Sequence, residues 1–464
     1  MKHSTLLVLG ILAAETLTLG AAYAAEGSLA DHPGAWRQQG YGKIFDISNG
    51  KLTQYDYTRT GCVLEATNTL DAVKGKFDRI AGDANSLSLY EAGEITRYDF
   101  VSLRDGLPVS CQRPLTSKDP IINANYFWDA FRENYAFFNL RGVDWEKVYN
   151  EYRAKIKPTT TNKQLLAILT EVIKKLNDGH VEIESPVGDG SSGSQGELQE
   201  LYMATVGQPD WNKAEAGYLA AVDRHVRQAI LKGQGKSDAL GLFLWGHAEP
   251  GIGYIDVVGM EPDKDKPVPE ILRDIDVTMN QALTDLADAK VLIVDARFND
   301  GGYDAVALQI MAHLTDIPRP AFRKKAVIGN GYTEEQAIRY GERPAGQIFT
   351  GPVIYLQSGT TISAAEAFTL AMMTRPCTRR VGRHTYGAMS DQLEKRLPNR
   401  WTVTVSNEVY TADDGKVYEK TGVPPHVEVP VGADRNFDNQ IVRDFNAGLR
   451  EAEQVLRTGA GICG

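Results

Sequence analysis

Residues 351–368 read GPVIYLQSGTTISAAEAF and carry the signals of a buried strand followed by a helix. The apolar run 353–356 predicts a strand inside a sheet that is covered on both faces. The polar turn after it leads into a helix that starts at about Ser363. Similar strand and helix patterns precede it, with strands at 253–258 and 291–294 and helices at 270–287 and 303–314. Such alternation predicts an α/β core with a mostly buried sheet.

Changes of pattern outside this core divide the rest of the chain. Closely spaced turn signals, such as Ser48-Asn49-Gly50, with alternating apolar residues between them predict a small β-rich domain near the N-terminus. Residues 187–197 have the Gly- and Ser-rich composition of a flexible loop. We therefore predict a signal peptide (1–24), a β-rich N-terminal domain (26–115), a helical subdomain (120–185), an insertion or linker region (186–250), the α/β catalytic core (251–435) and a C-terminal helix (436–464).

The composition is that of a soluble globular protein of several domains, with 464 residues, 42% of them hydrophobic and 24% charged. A net charge of −10 argues against nucleic acid as a partner. The chain contains neither a Cys-x-x-Cys nor a His-Glu-x-x-His spacing, so we predict no metal site and no cofactor.

The first residues resemble a secretory signal. Lys2 precedes a short apolar stretch, and Ala22-Tyr23-Ala24 is a small-x-small cleavage site. We therefore expect an exported protein, periplasmic or extracellular. The alternative is a retained anchor helix, although the apolar run is too short to span a bilayer comfortably, and no later segment reaches the roughly 18 apolar residues of a transmembrane helix.

Four cysteines lie beyond the signal: Cys62, Cys111, Cys377 and Cys463. Export permits disulfides, and four cysteines allow three pairings. We favour Cys62–Cys111 and Cys377–Cys463, because each pair then lies within one half of the chain. The alternative is that the thiols are free and buried.

Ser363 has two interpretations. A serine at a helix start caps unpaired backbone N–H groups, and Glu366 three residues later completes a Ser-x-x-Glu capping box. The same position also suits a nucleophile, because a helix N-terminus favours developing negative charge and the N–H of Ala364 is placed to face an oxyanion.

Each of three other segments allows both a functional and a purely structural interpretation. The glycine pair that ends DARFNDGG (295–302) either exposes N–H groups to a ligand or forms a plain turn, and Asp295 and Arg297 also suit a structural ion pair. His180, in Asn-Asp-Gly-His, is either a general base or an ordinary histidine. Glu419, taken alone, is a solvated charge in a loop.

Together these segments closely resemble the tail-specific (C-terminal processing) protease family, which includes the tricorn core and interphotoreceptor retinoid-binding protein. The ordered matches are 175–180, 295–302, 361–366, 382–387 and 419–426. The resemblance implies a crotonase-like (ClpP/crotonase) layered core, with Ser363 as nucleophile and the N–H groups of Gly302 and Ala364 as the oxyanion hole. It also implies that a set of motif residues supports the site: Asp295, Arg297, Asn299 and Gly301.

One departure from the family pattern bears on the mechanism. Members with a serine–lysine dyad carry Lys where this chain has Ala388, and no lysine occurs between Ser363 and Lys395. The tricorn-like branch uses histidine and glutamate, which match His180 and Glu419. That branch has Ser where Gly179 stands here and Asp at the position of Ala364, so a preference for basic side chains is not implied. The inserted PDZ module of many processing proteases is not recognisable here.

The expected function is that of a serine-type peptidase or endopeptidase, which hydrolyses peptides or proteins through an acyl-enzyme with Ser363 as nucleophile and His180 as base. The alternative is a catalytically degenerate core that acts as an apolar-ligand or cell-wall binding protein, the latter led by the N-terminal domain. The sequence leaves the specificity, the oligomeric state and the role of the N-terminal domain open.

Overall fold

The structure is a computed structural model that describes residues 27–261, 266–342 and 346–458. The predicted signal peptide (1–24) and Cys463 lie outside the described residues. The fold is mixed α/β, and the described strands form four sheets. Among the described residues, no helix combines the length and the apolar character needed to cross a membrane.

The first sheet is antiparallel and has the strand order β4-β3-β2-β1-β7-β6-β5. Asn49 and Gly50 have φ of 50° and 70°, the left-handed pair that closes the tight hairpin between its second and third strands. A disulfide joins Cys62 to Cys111, with Cα atoms 4.9 Å apart. The strands are β1 Gly34–Gln38, β2 Lys43–Ser48, β3 Lys51–Thr58, β4 Gly61–Thr69, β5 Phe77–Gly82, β6 Ser86–Glu91 and β7 Arg97–Ser102.

A helical segment follows the sheet. Its main helix begins after the N-cap Asp119, and the aromatic face with Phe127 and Phe131 is buried. Thr161 and Gln164 form a capping box at the start of the last helix. The helices are α1 Val109–Gln112, α2 Pro120–Asn134, α3 Phe138–Arg141, α4 Trp145–Arg153 and α5 Asn162–Ile173, and strand β8 Glu182–Ser185 comes next.

The prediction of a flexible loop over 187–197 is wrong for its first part. Strand β9 Gly188–Ser191 pairs with β8, and a Cβ on Gly190 would lie 2.1 Å from Thr170 Oγ1. At Gly190, glycine therefore reflects close packing on α5 and not flexibility. The chain continues with α6 Glu197–Val206, α7 Trp211–Arg224, a π-helical turn at His225–Ile230 and β10 Lys236–Ser237.

The central sheet has the order β10-β11-β12-β13-β17-β18-β22, and its strands from β12 to β22 are parallel. The predicted strands at 253–258, 291–294 and 353–356 are present within one residue. The elements after β10 are β11 Phe243–Glu249, β12 Ile252–Val257, α8 Val268–Asp285, β13 Val291–Asp295, α9 Asp304–Ala312, β14 Arg319–Ile328, β15 Gly331–Tyr332, β16 Gln336–Tyr340, β17 Val353–Gln357, α10 Ala364–Thr374, β18 Thr378–Gly382, β19 Gln392–Arg396, β20 Thr402–Ser406, β21 Glu408–Ala412, β22 Val427–Glu428 and α11 Phe437–Thr458.

Both faces of the central sheet are buried. On one face Leu292 and Val294 pack with α8, α9 and α10, and on the other Val291 and Ile293 pack with α7 and α11. The continuous apolar strands seen in the sequence follow from this double burial.

Two smaller sheets surround the core. One contains β14, β15, β16 and β21, and the other has the order β19-β20-β8-β9. The second sheet joins the helical segment to the core, because β8 pairs with β20 immediately after His180. This pairing brings the region of His180 to the carboxyl-end side of the central sheet, where α10 begins.

Candidate active site

Ser363 stands at the start of α10 in a strained backbone conformation, with φ of 61° and ψ of −129°. Its side chain accepts no capping hydrogen bond from the helix. The carboxylate of Glu366 accepts instead from Thr385 Oγ1 at 2.6 Å and from the N–H groups of Gly387 and Ala388 at 2.8 and 2.7 Å. The interpretation of Ser363 as a helix cap is therefore wrong.

The segment around Gly301 lies directly against the serine. Gly301 has φ of 104°, and a Cβ there would come within 2.6 Å of Ser363 Cβ. Gly302 has φ of 133°, and its Cβ would meet the Met260 carbonyl carbon at 2.1 Å. Both positions require glycine, for backbone conformation and for space.

Two N–H groups next to Ser363 have no acceptor in the part of the chain that the structure describes. Met260 donates to Gly301 O and accepts from Tyr303 N–H, which leaves the N–H of Gly302 out of this bridge. Within the described ranges, neither this N–H nor that of Ala364 donates to another residue. Such a pair beside a hydroxyl is the arrangement that can bind a developing oxyanion.

The other residues of the 295–302 motif hold this turn from behind. The guanidinium of Arg297 is fully buried and pairs with Asp295 at 2.6 Å, and it also donates to Ile441 O at 2.8 Å. Asn299 donates to Val257 O and accepts from Gly301 N–H, both at 2.8 Å. Their side chains are engaged with the fold and do not line the cavity described below.

His180 lies three residues after Asn177, whose φ of 48° is in the left-handed region. The histidine is 4% exposed. Its N–H donates to Asp178 Oδ1 at 3.0 Å, and its carbonyl accepts from Thr404 Oγ1 at 2.7 Å. Its ring Nδ1 has no hydrogen-bond partner among the described residues. Burial lowers the pKa of His180, although the charges of Asp178 and Asp391 act in the opposite direction. The imidazole is therefore neutral near pH 7, as a general base must be.

Ser363 and His180 line one cavity of about 580 Å³. The core contributes Gly302, Tyr303 and Tyr386 to its wall, and the insertion contributes Gln199 and Trp211. The structure therefore brings together two predicted side chains from segments far apart in the sequence. Among the described residues, no cluster of three or more His, Cys, Asp or Glu side chains has the arrangement of a metal site.

Glu419 lies behind this cavity and does not line it. It is 2% exposed, and it accepts from Arg141 Nη2 at 2.6 Å and from the N–H of Met389 at 2.8 Å. Arg141 Nε lies 3.3 Å from Asp178 Oδ2. Burial raises the pKa of Glu419, and the charge of Asp178 acts in the same direction, whereas Arg141 opposes them. Glu419 is thus connected to the His180 segment through Arg141 and Asp178.

Comparison with known proteins gives the family of the core. A family model described as peptidase family S41 matches residues 251–429, which hold the Gly301–Gly302 turn, Ser363 and Glu419. These residues are a family S41 peptidase domain. The family is one of serine peptidases, so the chain is a serine-type peptidase. A second model, the tricorn protease C1 domain, matches residues 125–174, just before His180.

Two solved structures share the fold of most of the chain. A putative peptidase from Parabacteroides merdae is 20% identical, with a TM-score of 0.58, over 72% of this chain and 97% of its own. Mature CPAF is 13% identical, with a TM-score of 0.53, over 74% of this chain and 99% of its own. At these identities, the likenesses show a shared fold alone.

A lysine does approach the serine of the peptidase domain, but from another strand. Lys324 of β14 lines a second cavity of about 210 Å³ that includes Ser363. Its Nζ is buried and lies 2.9 Å from Glu408 Oε2. Burial acts to lower the pKa of Lys324, but Glu408 and neighbouring carboxylates outweigh this and raise it. A lysine held protonated in this way cannot serve as a base for Ser363.

The sequence analysis did not single out several residues of this site. Asp178 lies in the motif that pointed to His180, so its neighbour was the available signal. Arg141 and Asp391 carry no local signal. Arg141 reaches the peptidase domain through a tertiary contact with Glu419, and Asp391 lies just before β19 and lines the cavity.

Proposed function

We propose that Ser363 is the nucleophile of peptide-bond hydrolysis and that His180 is its general base and acid. The observation that carries this proposal is the strained, uncapped Ser363 in one cavity with a buried, neutral His180. Strained backbone that the surrounding packing maintains is typical of functional positions. The neighbouring N–H groups without acceptors support an oxyanion hole of Gly302 and Ala364.

The proposed reaction has two halves. Ser363 Oγ attacks the carbonyl carbon of the scissile bond while the imidazole of His180 accepts the hydroxyl proton. The resulting oxyanion accepts hydrogen bonds from the N–H groups of Gly302 and Ala364. His180 then gives its proton to the leaving amine, and an ester of Ser363 remains. A water molecule, deprotonated by His180, attacks the carbonyl carbon of this ester. The bond to Ser363 Oγ then breaks, His180 returns the proton to Oγ, and the second product leaves as a carboxylic acid.

Glu419 acts in this proposal as a positioning residue. It binds the N–H groups of Met389 and Ser390 and pairs with Arg141, which reaches Asp178 beside His180. Through these contacts it supports both the histidine segment and residues 388–390. The N–H of Ser363 in turn donates to Ala388 O at 3.1 Å.

The proposal also covers the arrangement of the layers in the core and the cellular location of the protein. We propose a crotonase-like arrangement for the core and a separate N-terminal β domain, supported by the central parallel sheet and by the antiparallel sheet of residues 34–102. We also propose export to the periplasm or the extracellular space, supported by the signal-like residues 1–24 and by the Cys62–Cys111 disulfide. N-terminal sequencing of the mature protein tests the second point, since a start at Met1 would contradict it.

A fluorophosphonate probe tests the nucleophile. We expect labelling at Ser363, identified by mass spectrometry of the digested protein. Ser363→Ala abolishes it and His180→Ala slows it strongly, because each removes one half of the activated pair. Ser194→Ala is the matched control, since Ser194 lines the same cavity. A folded protein that resists the probe, or labelling that persists in Ser363→Ala, would show that Ser363 is not the nucleophile.

A further inference from the structure

We propose that the N-terminal sheet forms one wall of the substrate groove and that the substrate is an extended polypeptide lying between this sheet and strand β19. The inference rests on the proposed peptidase function and adds to it a substrate class and the surface that binds it. It assigns a role to residues 34–102, which carry no recognisable catalytic motif.

The cavities around Ser363 adjoin one another. The cavity that contains His180 and the 210 Å³ cavity share Ser363, Gly302 and Tyr303. A third cavity, of about 380 Å³, lies between the N-terminal sheet and the beginning of β19. Asp391 lines all three. We call these three adjoining cavities the substrate groove.

The N-terminal sheet reaches the serine through the turn between β6 and β7. Glu94, Ile95 and Thr96 of this turn line the same cavity as Ser363. Gly93 at its tip is seated against the start of α8, since a Cβ there would lie 3.0 Å from Val268 Cγ1. Part of the site wall beside the nucleophile is therefore built by the N-terminal sheet.

Buried polar contacts fix this wall to the peptidase domain. Asp56 of β3 lies 3.1 Å from Lys395 Nζ and accepts from the N–H of Arg396 at 2.8 Å. Asn407 donates to Gly40 O at 2.9 Å, and Gln336 donates to Arg97 O at 2.9 Å. The groove is thus a preformed feature of the fold, which lowers the entropic cost of binding a flexible chain.

The beginning of strand β19 borders the groove. It stands at the edge of its sheet and, among the described strands, pairs with β20 alone. Its other side faces the N-terminal sheet, since Leu393 and Glu394 line the third cavity and Arg396 N–H bonds to Asp56. The groove therefore passes the beginning of β19, while the end of this strand is fixed to the N-terminal sheet.

The groove continues on both sides of Ser363. Gln199 and Trp211 lie on the His180 side, and Gln54 and Lys76 lie at the far end under the N-terminal sheet. A substrate that fills it has residues on both sides of the scissile bond. This geometry fits an internal bond of an unfolded chain, not a small ester or a dipeptide.

Two tryptophan substitutions at the far end test the inference. Gln54→Trp and Lys76→Trp narrow the groove far from the nucleophile. Binding of fluorescein-labelled, unfolded casein is measured by anisotropy with both substitutions placed separately in the Ser363→Ala protein, so that cleavage does not interfere. We expect each to weaken binding at least about fivefold, roughly the effect of losing 1 kcal/mol of contact. In the protein with Ser363 intact, fluorophosphonate labelling stays unchanged.

Matched controls lie beside each position. Thr53→Trp places the same side chain on the neighbouring position of β3, which faces the other side of the sheet, and Lys74→Trp lies two residues before Lys76 and outside the groove. Equal casein binding by all four variants overturns the inference, as does a parallel loss of labelling in the groove variants. Binding that depends on the groove in a protein that resists the probe overturns the catalytic proposal alone.

Discussion

The backbone of Ser363 is strained. For a non-glycine residue, a conformation with φ of 61° and ψ of −129° costs about 1–3 kcal/mol. Packing of Gly301 against the serine and the hydrogen bond from Ser363 N–H to Ala388 O hold the conformation in place. In this arrangement the serine begins a helix without capping it. Its hydroxyl therefore remains available to the cavity.

Gly301→Ala is expected to remove the activity and to lower the free energy of unfolding by about 1–3 kcal/mol, the usual cost of forcing a side chain into a strained backbone region. The new Cβ would overlap Ser363 Cβ at 2.6 Å and displace the nucleophile. Urea unfolding and fluorophosphonate labelling measure the two effects. Gly415→Ala is the control, because this glycine has a similar φ of 81° and open space around it. Labelling of Gly301→Ala at the unsubstituted rate would contradict the close packing.

The pH dependence of kcat/KM is expected to reflect His180. Burial lowers the pKa of this histidine below its ordinary value of 6.5, so the neutral base persists at a lower pH than for an exposed histidine. Activity is therefore retained as the pH falls through 6.5 and is lost only when it passes the lowered pKa. A pH profile of kcat/KM with a quenched fluorescent peptide measures this loss of activity at acid pH. An acid limb centred above 6.5 would contradict a buried, neutral base.

At the scale of elements, residues 385–390 link the two halves of the site. Glu366 of α10 binds the N–H groups of Gly387 and Ala388, while Glu419 binds those of Met389 and Ser390. Two buried carboxylates thus hold one short segment. Ala388 stands where a dyad lysine would be, and it is buried. Its N–H donates to Glu366, and its carbonyl accepts from the N–H of Ser363.

At a pH above about 8, the raised pKa of Glu419, Arg141→Met is expected to destabilise the protein by about 3–5 kcal/mol, because it leaves buried carboxylates without their counter-charge. Arg141 is the cation between Glu419 and Asp178. The deficit should shrink as the pH falls through the raised pKa of Glu419, since protonation removes the unpaired charge. Chemical unfolding at several pH values measures this. Arg153→Met, on an exposed part of α4, should change stability by less than about 0.5 kcal/mol. An equal deficit at every pH would contradict the electrostatic explanation.

The sequence predicted the elements whose signals are local. Parallel strands buried on both faces are continuous apolar runs, and β13 and β17 were therefore recognisable. The strands of the two smaller sheets are short and mixed in polarity, and their pairing depends on distant partners, such as β8 with β20. The glycines near 190 were misread because a packing contact with Thr170 leaves no trace in a single sequence.

The residues of the candidate site show the same difference between local and tertiary signals. The ordered motifs singled out Ser363, Gly302 and His180, whereas local chemistry alone also allowed a helix cap for the serine. Arg141 and Lys324 were not found, because the first acts through Glu419 and Asp178 and the second approaches Ser363 from β14. Their importance exists only in the folded arrangement.

At the scale of the whole molecule, the Cys62–Cys111 disulfide closes the N-terminal sheet onto the helical segment. The two cysteines are 49 residues apart in the sequence. Removing a disulfide that closes a loop of this size lowers the free energy of unfolding by about 2–4 kcal/mol. The double variant Cys62→Ala, Cys111→Ala should unfold at correspondingly lower denaturant concentration. A reductant should reproduce the loss in the unsubstituted protein and leave the variant unchanged. If the variant is as stable as the unsubstituted protein, the disulfide does not contribute to the folded state.

The pairing of β8 with β20 also has a consequence for biogenesis. The bond from Thr404 Oγ1 to the carbonyl of His180 joins positions 224 residues apart, so the base is anchored only after most of the polypeptide has been synthesised. Contacts of such long range form late in folding. A nascent chain therefore lacks the contact between His180 and β20, and Ser363 and His180 come to line one cavity only once the chain has reached its native topology.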